Sequence, residues 1–164
     1  MGGTVVAELH FSDSGKPELN FLYGEEPFVG SCRSALAEMK PNGQEESAAI
    51  VVVHFRQPYL HTIGSREEGV NVRKPKAPLP YPVQIVQPDY PASSLGQGSV
   101  VLRADISDEG TVSDVRVLKP MGAFTEACVE AVRKWAFHPA GDSKGKAKTS
   151  HAYIVIVYRY VITG

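Results

Sequence analysis

His10, Ser12 and Asp13 are the residue types a nucleophilic triad needs: a hydroxyl to attack, an imidazole to take its proton, and a carboxylate to orient the imidazole. Their setting argues against that chemistry. Ser-Asp-x-Gly recurs at Ser107, Asp108 and Gly110, where Asp105 replaces His10, and a Ser-Asp-x-Gly segment between apolar strands is turn chemistry. His54, His61, His138 and His151 form no i, i+4 pair and have no cysteine or carboxylate at metal-ligand spacing. Gly96-Gln97-Gly98 precedes a strand pattern, whereas phosphate-cradling glycine loops precede a helix. Cys32 and Cys128 lack a Cys-x-x-Cys partner and read as small buried core residues. A disulfide between them would need Cα atoms within about 7 Å, which spacing leaves open. No catalytic residue, metal ligand or cofactor site is expected, so the chain is read as non-enzymatic.

The elements around these residues repeat. Gly3, Thr4, Val5 and Val6 match Gly98, Ser99, Val100 and Val101, and the correspondence runs through Ser12, Asp13 and Gly15 onto Ser107, Asp108 and Gly110. Before each turn, apolar residues alternate with others: Val5, Ala7, Leu9 and Phe11 in one copy, Val100, Leu102, Ala104 and Ile106 in the other. Period two predicts a strand with one buried face. Leu19 and Phe21 then align with Val115 and Val117, giving each copy a hairpin. Phe28, Cys32, Ala35, Leu36 and Met39 correspond to Phe124, Cys128, Ala131, Val132 and Trp135, a helical stripe that buries one face against a sheet. Apolar runs from Ile50 to Phe55 and from Ile154 to Tyr160 close the copies. The expected class is α+β: two tandem ββαβ units, each a three-stranded antiparallel sheet with one helix on a face.

The boundaries read as a first repeat at 1–60, an exposed loop and proline-rich linker at 61–86, and a second unit at 87–164. Pro75, Pro78, Pro80, Pro82, Pro88 and Pro91 supply half of the chain's 12 prolines and bias the linker toward extended backbone. Tyr81, Val83, Ile85 and Val86 within it fit a short strand or a segment lying across a domain. A total of 164 residues leaves each unit a modest core, so the two are expected to lean on each other. Seventeen Lys plus Arg against 18 Asp plus Glu, with no long run of one sign, argues against nucleic acid. No stretch reaches the roughly 20 apolar residues of a membrane-spanning helix, and Met-Gly-Gly is no secretory leader, so any anchor is expected outside this sequence.

Gln87-Pro88-Asp89-Tyr90-Pro91, Gly98-x-Val100, Ile106-x3-Gly110-x-Val112, and Val132-Arg133-Lys134-Trp135-x-Phe137-x-Pro139 before a closing apolar strand together resemble the C-terminal domain of TonB, the energy transducer of Gram-negative bacteria. The first unit resembles that domain only through the internal alignment; it lacks the Tyr-Pro lead-in and has Met39 where the family prefers an aromatic residue. The resemblance implies a periplasmic domain, anchored in the inner membrane through a segment missing here and driven by an ExbB/ExbD-like motor. Its partner would be the TonB box of an outer-membrane TonB-dependent receptor, added as a strand to an open edge of the last strand. On that reading the partner-binding residues are Gln87, Pro88, Tyr90 and Pro91 of the lead-in and Ala152, Tyr153, Ile154, Val155, Ile156, Val157, Tyr158, Arg159 and Tyr160 of the last strand. The lead-in has an equal alternative as a structural clamp, with Pro fixing the chain and Tyr covering the sheet end. Trp135, Phe137 and Pro139 read as structural, and Arg133 and Lys134 as a solvated face or a contact to a receptor or peptidoglycan.

Two other readings stand beside this one: a non-catalytic periplasmic sensory module, as in signalling or antirepressor proteins, and a cell-wall scaffold. Self-association through sheet edges is a further expectation. The two units are expected to pack with approximate two-fold symmetry, joining sheets edge to edge, in which case the first occupies the edge a receptor would need.

Overall fold

The computed structural model describes residues 3–13, 15–40, 46–56, 67–91 and 96–159. In it the alternating segments become strands and the stripes become helices: β1 (Gly3–His10), β2 (Glu18–Tyr23), α1 (Phe28–Ala37) and β3 (Ala48–Arg56), then β4 (Glu67–Gly69) and β5 (Tyr81–Val86). The rest of the chain forms β6 (Gly98–Ile106), β7 (Val112–Lys119), α2 (Phe124–Val132), β8 (Ala136–His138), β9 (Ala140–Gly141), β10 (Ala147–Lys148) and β11 (Ser150–Tyr158). Both hairpins turn on the same chemistry. Gly15 and Gly110 donate their amides to the carbonyls of Ser12 and Ser107 at 3.2 and 3.1 Å. Each has a positive φ, 87° and 86°, where a side chain is disfavoured.

The chain is α+β, and in place of two three-stranded sheets it has one six-stranded sheet in the order β2-β1-β3-β11-β6-β7. The halves meet at β3 and β11, which pair in parallel from Tyr153 opposite Val51 to Tyr158 opposite Arg56. Successive residues of a strand point to opposite faces. Val5, Ala7 and Leu9 of β1 pack with Cys32 and Leu36 of α1, while Val6 shares a core with Phe124 and Cys128 of α2. The helices therefore lie on opposite faces of the sheet. Cys32 and Cys128 are free and buried in these two separate cores. Burial pushes each thiol up to about 11.

Residues 67–86 are not the exposed linker expected from their prolines. Val70, Val72, Ile85 and Val86 are buried in the same core as Val6, Ile50 and Val52, so this strap covers the face of the N-terminal half that α1 leaves open. Each such side chain contributes about 2 kcal/mol when removed from water, which outweighs the extended backbone's preference for solvent. Polar contacts pin the strap. The buried Glu8 carboxylate accepts the amides of Lys76 at 3.0 Å and Ala77 at 2.7 Å, and the Trp135 indole donates to the Val86 carbonyl at 2.9 Å. β5 is a strand, as Tyr81, Val83, Ile85 and Val86 suggested, and it pairs between β4 and β8 in a second sheet. No helix among the described residues is long and apolar enough to cross a membrane.

Candidate partner-binding edge

β11 is the strand on which the sequence places partner binding. Its alternation is complete: Ala152, Ile154, Ile156 and Tyr158 are buried on the α2 face, and Tyr153, Val155 and Val157 are half-buried on the other. β6 pairs with it antiparallel from Ser150 to Tyr158. On its other side β3 pairs in parallel over Tyr153, Ile154, Val155, Ile156, Val157 and Tyr158. The expected open edge is therefore corrected: both sides of β11 are hydrogen-bonded, because the last strand of the first half occupies the last strand of the second. Arg159 continues the seam, its amide donating to the Arg56 carbonyl at 3.4 Å while its guanidinium lies 5.3 Å from the Phe55 ring centroid. Tyr160 lies outside the described residues.

The lead-in segment meets the same seam. Arg56, buried at the end of β3, donates from Nε to the Pro88 carbonyl at 3.0 Å and from Nη1 to Gln87 Oε1 at 3.3 Å. Gln87 Nε2 in turn donates to Glu68 Oε1 at 3.4 Å. The Tyr90 ring packs edge-on against Phe124 and Tyr158, centroids 5.3 and 5.8 Å away. Its hydroxyl is buried with no hydrogen-bond partner among the described residues. Pro91 is half-buried and Asp89 exposed. The structure thus brings Gln87, Pro88, Tyr90 and the end of β11 together.

Two polar groups line the seam, His54 buried and Glu46 half-buried. His54 shares a 2.9 Å hydrogen bond between Nδ1 and Thr4 Oγ1, while its Nε2 is buried without a partner among the described residues. Burial, with help from the Arg56 charge, pushes its imidazole down to about 4, so it sits neutral in the core. At the opposite end of the seam Glu46 accepts from Tyr153 Oη at 3.1 Å and lies 2.7 Å from His151 Nε2. Arg56 and Glu46 therefore tie the N-terminal half to the C-terminal half at both ends of one parallel ladder.

Neither residue is marked by the sequence reading. Arg56 simply follows an apolar run, and the available signal was β11 itself: a strand apolar on both faces is characteristic of a central strand rather than an edge. Trp135 and Phe137 are buried at 2% and 4% exposure, and Arg133 and Lys134 are exposed. The triad candidates do not assemble, since the His10 imidazole points at Glu8 Oε1, 3.0 Å away. No cluster of metal-ligating side chains occurs among the described residues.

Comparison with known proteins matches residues 86–160 to the family described as Gram-negative bacterial TonB protein C-terminal. Over 58 residues the chain is 38% identical to protein TonB2 of Pseudomonas aeruginosa, an alignment covering 32% of this chain and 22% of that protein. The chain therefore matches about a fifth of that relative's length.

Proposed function

Residues 86–160 of this chain belong to the TonB C-terminal domain family, and on that premise we propose that the chain is a periplasmic, non-catalytic energy-transducer domain that holds an outer-membrane receptor by strand addition. Its force would come from an ExbB/ExbD-like inner-membrane motor. The observation that supports strand addition is the seam itself: β11 already takes an added strand, β3, in parallel over six residue pairs. We read β1 through β3 as a diverged copy of the same fold, supported by the matching turns at Gly15 and Gly110. On this reading the first copy holds the docking strand in a self-occupied state. The receptor segment, the TonB box, replaces β3 along Ala152 to Tyr160 and contacts Gln87, Pro88, Tyr90 and Pro91.

Each backbone hydrogen bond contributes about 1 kcal/mol net, so a short free peptide competes poorly against a covalently tethered strand. Titrating the labelled full chain with a TonB-box peptide should therefore shift the amide signals of Ala152 to Tyr158 modestly, and more strongly in Arg56→Ala, where one tie at the seam is removed. Unchanged spectra in both proteins at about 1 mM peptide would reject the reading.

Closure of β11 on both sides also favours a second reading, a sensory or scaffold module that uses the fold without the docking edge. Arg133 and Lys134 are exposed at the end of α2 and available to a cell-wall polymer. Retention on purified peptidoglycan that is lost when both are neutralised would raise this reading above the first.

A further inference from the structure

The six-stranded sheet ends in β2 and β7, and the two ends differ. The β2 side is covered by the strap: the Arg73 amide donates to the Leu22 carbonyl at 3.1 Å and its guanidinium to the Phe21 carbonyl. β7 pairs along its length with β6 alone among the described residues, apart from a single bridge from Thr111 to Ala136 just before it begins. Val117 and Leu118 on β7 are 43% and 48% exposed.

The edge also carries charge in a particular order. Val115 packs toward the core on the α2 face, so its neighbours Asp114 and Arg116 project from the other face. There they form a checkerboard with β6: Arg103 Nε lies 3.0 Å from Asp105 Oδ1, and Arg116 lies 3.6 Å from Asp105 and 3.9 Å from Asp114. Charges on an edge strand ordinarily discourage pairing with another chain. These two are self-complementary.

We infer that β7 is a homodimer-forming edge, on which a second copy of the chain adds its own β7 antiparallel about a two-fold axis through Val115. A two-fold axis normal to the sheet keeps each copy's faces aligned, so only residues projecting from the same face can stand opposite each other. An axis at Arg116 would oppose two guanidinium groups, and one at Asp114 would oppose two carboxylates. The axis at Val115 sets each Asp114 across from Arg116 of the partner subunit, twice. The ladder between β6 and β7 is regular from Asp114 to Val117, with its bulges at Ser113 and Leu118, so the edge is straight across the Asp114 to Arg116 stretch that carries the charge pairs. This inference stands on β7 alone and is independent of which partner β11 serves.

Sedimentation of the full chain over a concentration series tests it. The wild-type chain should populate a dimer by about 1 mM, a range typical of weak association. Arg116→Asp, a substitution at an exposed side chain, should weaken that association roughly tenfold, because both cross-strand pairs become like-charged. Asp114→Arg combined with Arg116→Asp should restore it, and the recovery also excludes misfolding as the cause of the single variant's loss. A wild-type chain that stays monomeric across the series, or an exchanged variant as weak as the single one, overturns the inference.

Discussion

Arg56 donates to the carbonyl of Pro88 across 3.0 Å of buried space, joining the last strand of one half of the chain to the lead-in of the other. The contact ties together the two segments nominated for partner binding, β11 and Gln87 to Pro91, by way of a residue from neither. Whatever engages this face engages it in competition with Arg56.

Arg56→Ala should cost about 1–3 kcal/mol, since it leaves the Pro88 carbonyl and the Gln87 amide oxygen without their donor. Urea unfolding reads the loss. Hydrogen exchange should locate it, with faster exchange along Tyr153 to Tyr158 and little change in β1 and β2; a uniform increase would mean that Arg56 does not hold the seam locally.

His54 predicts a pH dependence. Its imidazole is held near 4 in the folded chain against an ordinary value near 6.5, so between those limits the unfolded chain binds the extra proton. The stability contribution is complete above about pH 6.5 and declines as pH falls toward 4, by on the order of 3 kcal/mol. In His54→Val that part of the slope should vanish. Equal slopes for the two proteins over this window would show that His54 does not titrate as buried.

Glu8 acts at lower pH. Burial pushes its carboxyl up, yet the amides of Ala77 and Lys76, the Asn20 side chain and the His10 charge outweigh burial and hold it below the ordinary value. Its contribution is therefore full above the unfolded carboxyl's range and is lost as pH falls through the lower folded value. Glu8→Gln cannot accept both strap amides equally well and should cost about 1–3 kcal/mol at neutral pH. Limited proteolysis should then cut within 70–79 before it cuts the sheet.

The two turn glycines are not equivalent. A Cβ at Gly110 would stand 2.0 Å from the Phe137 carbonyl oxygen, whereas one at Gly15 would meet nothing within 4 Å. Gly15→Ala should cost only about 1–2 kcal/mol for its left-handed backbone. Gly110→Ala adds a clash with backbone that cannot rotate away, so its melting temperature should fall well below that of Gly15→Ala. Equal melting temperatures would show that the Gly110 turn is free to move away from β8.

Much of this architecture was legible in residue order. The alternation of Val5, Ala7 and Leu9, the turn at Ser107 to Gly110, and the stripe from Phe124 to Val132 each belong to one local element, and side-chain identity carries that information directly. The proline-rich segment misled because prolines signal extended backbone but not its environment. Val70, Val72, Ile85 and Val86 became core only because α1 took one face of the N-terminal half and left the other to be covered.

The sequence by itself determined the hairpin strands, the two helices, the closing strands and the kinship of residues 86–160, but not the short strands β8, β9 and β10. Tertiary structure alone decided which strand lies beside which. Backbone amides and carbonyls are the same in every residue, so the ladder that seats β3 against β11 has no signature in side-chain order. For the same reason, the burial of Arg56 and the openness of β7 emerge only once the two halves share one sheet.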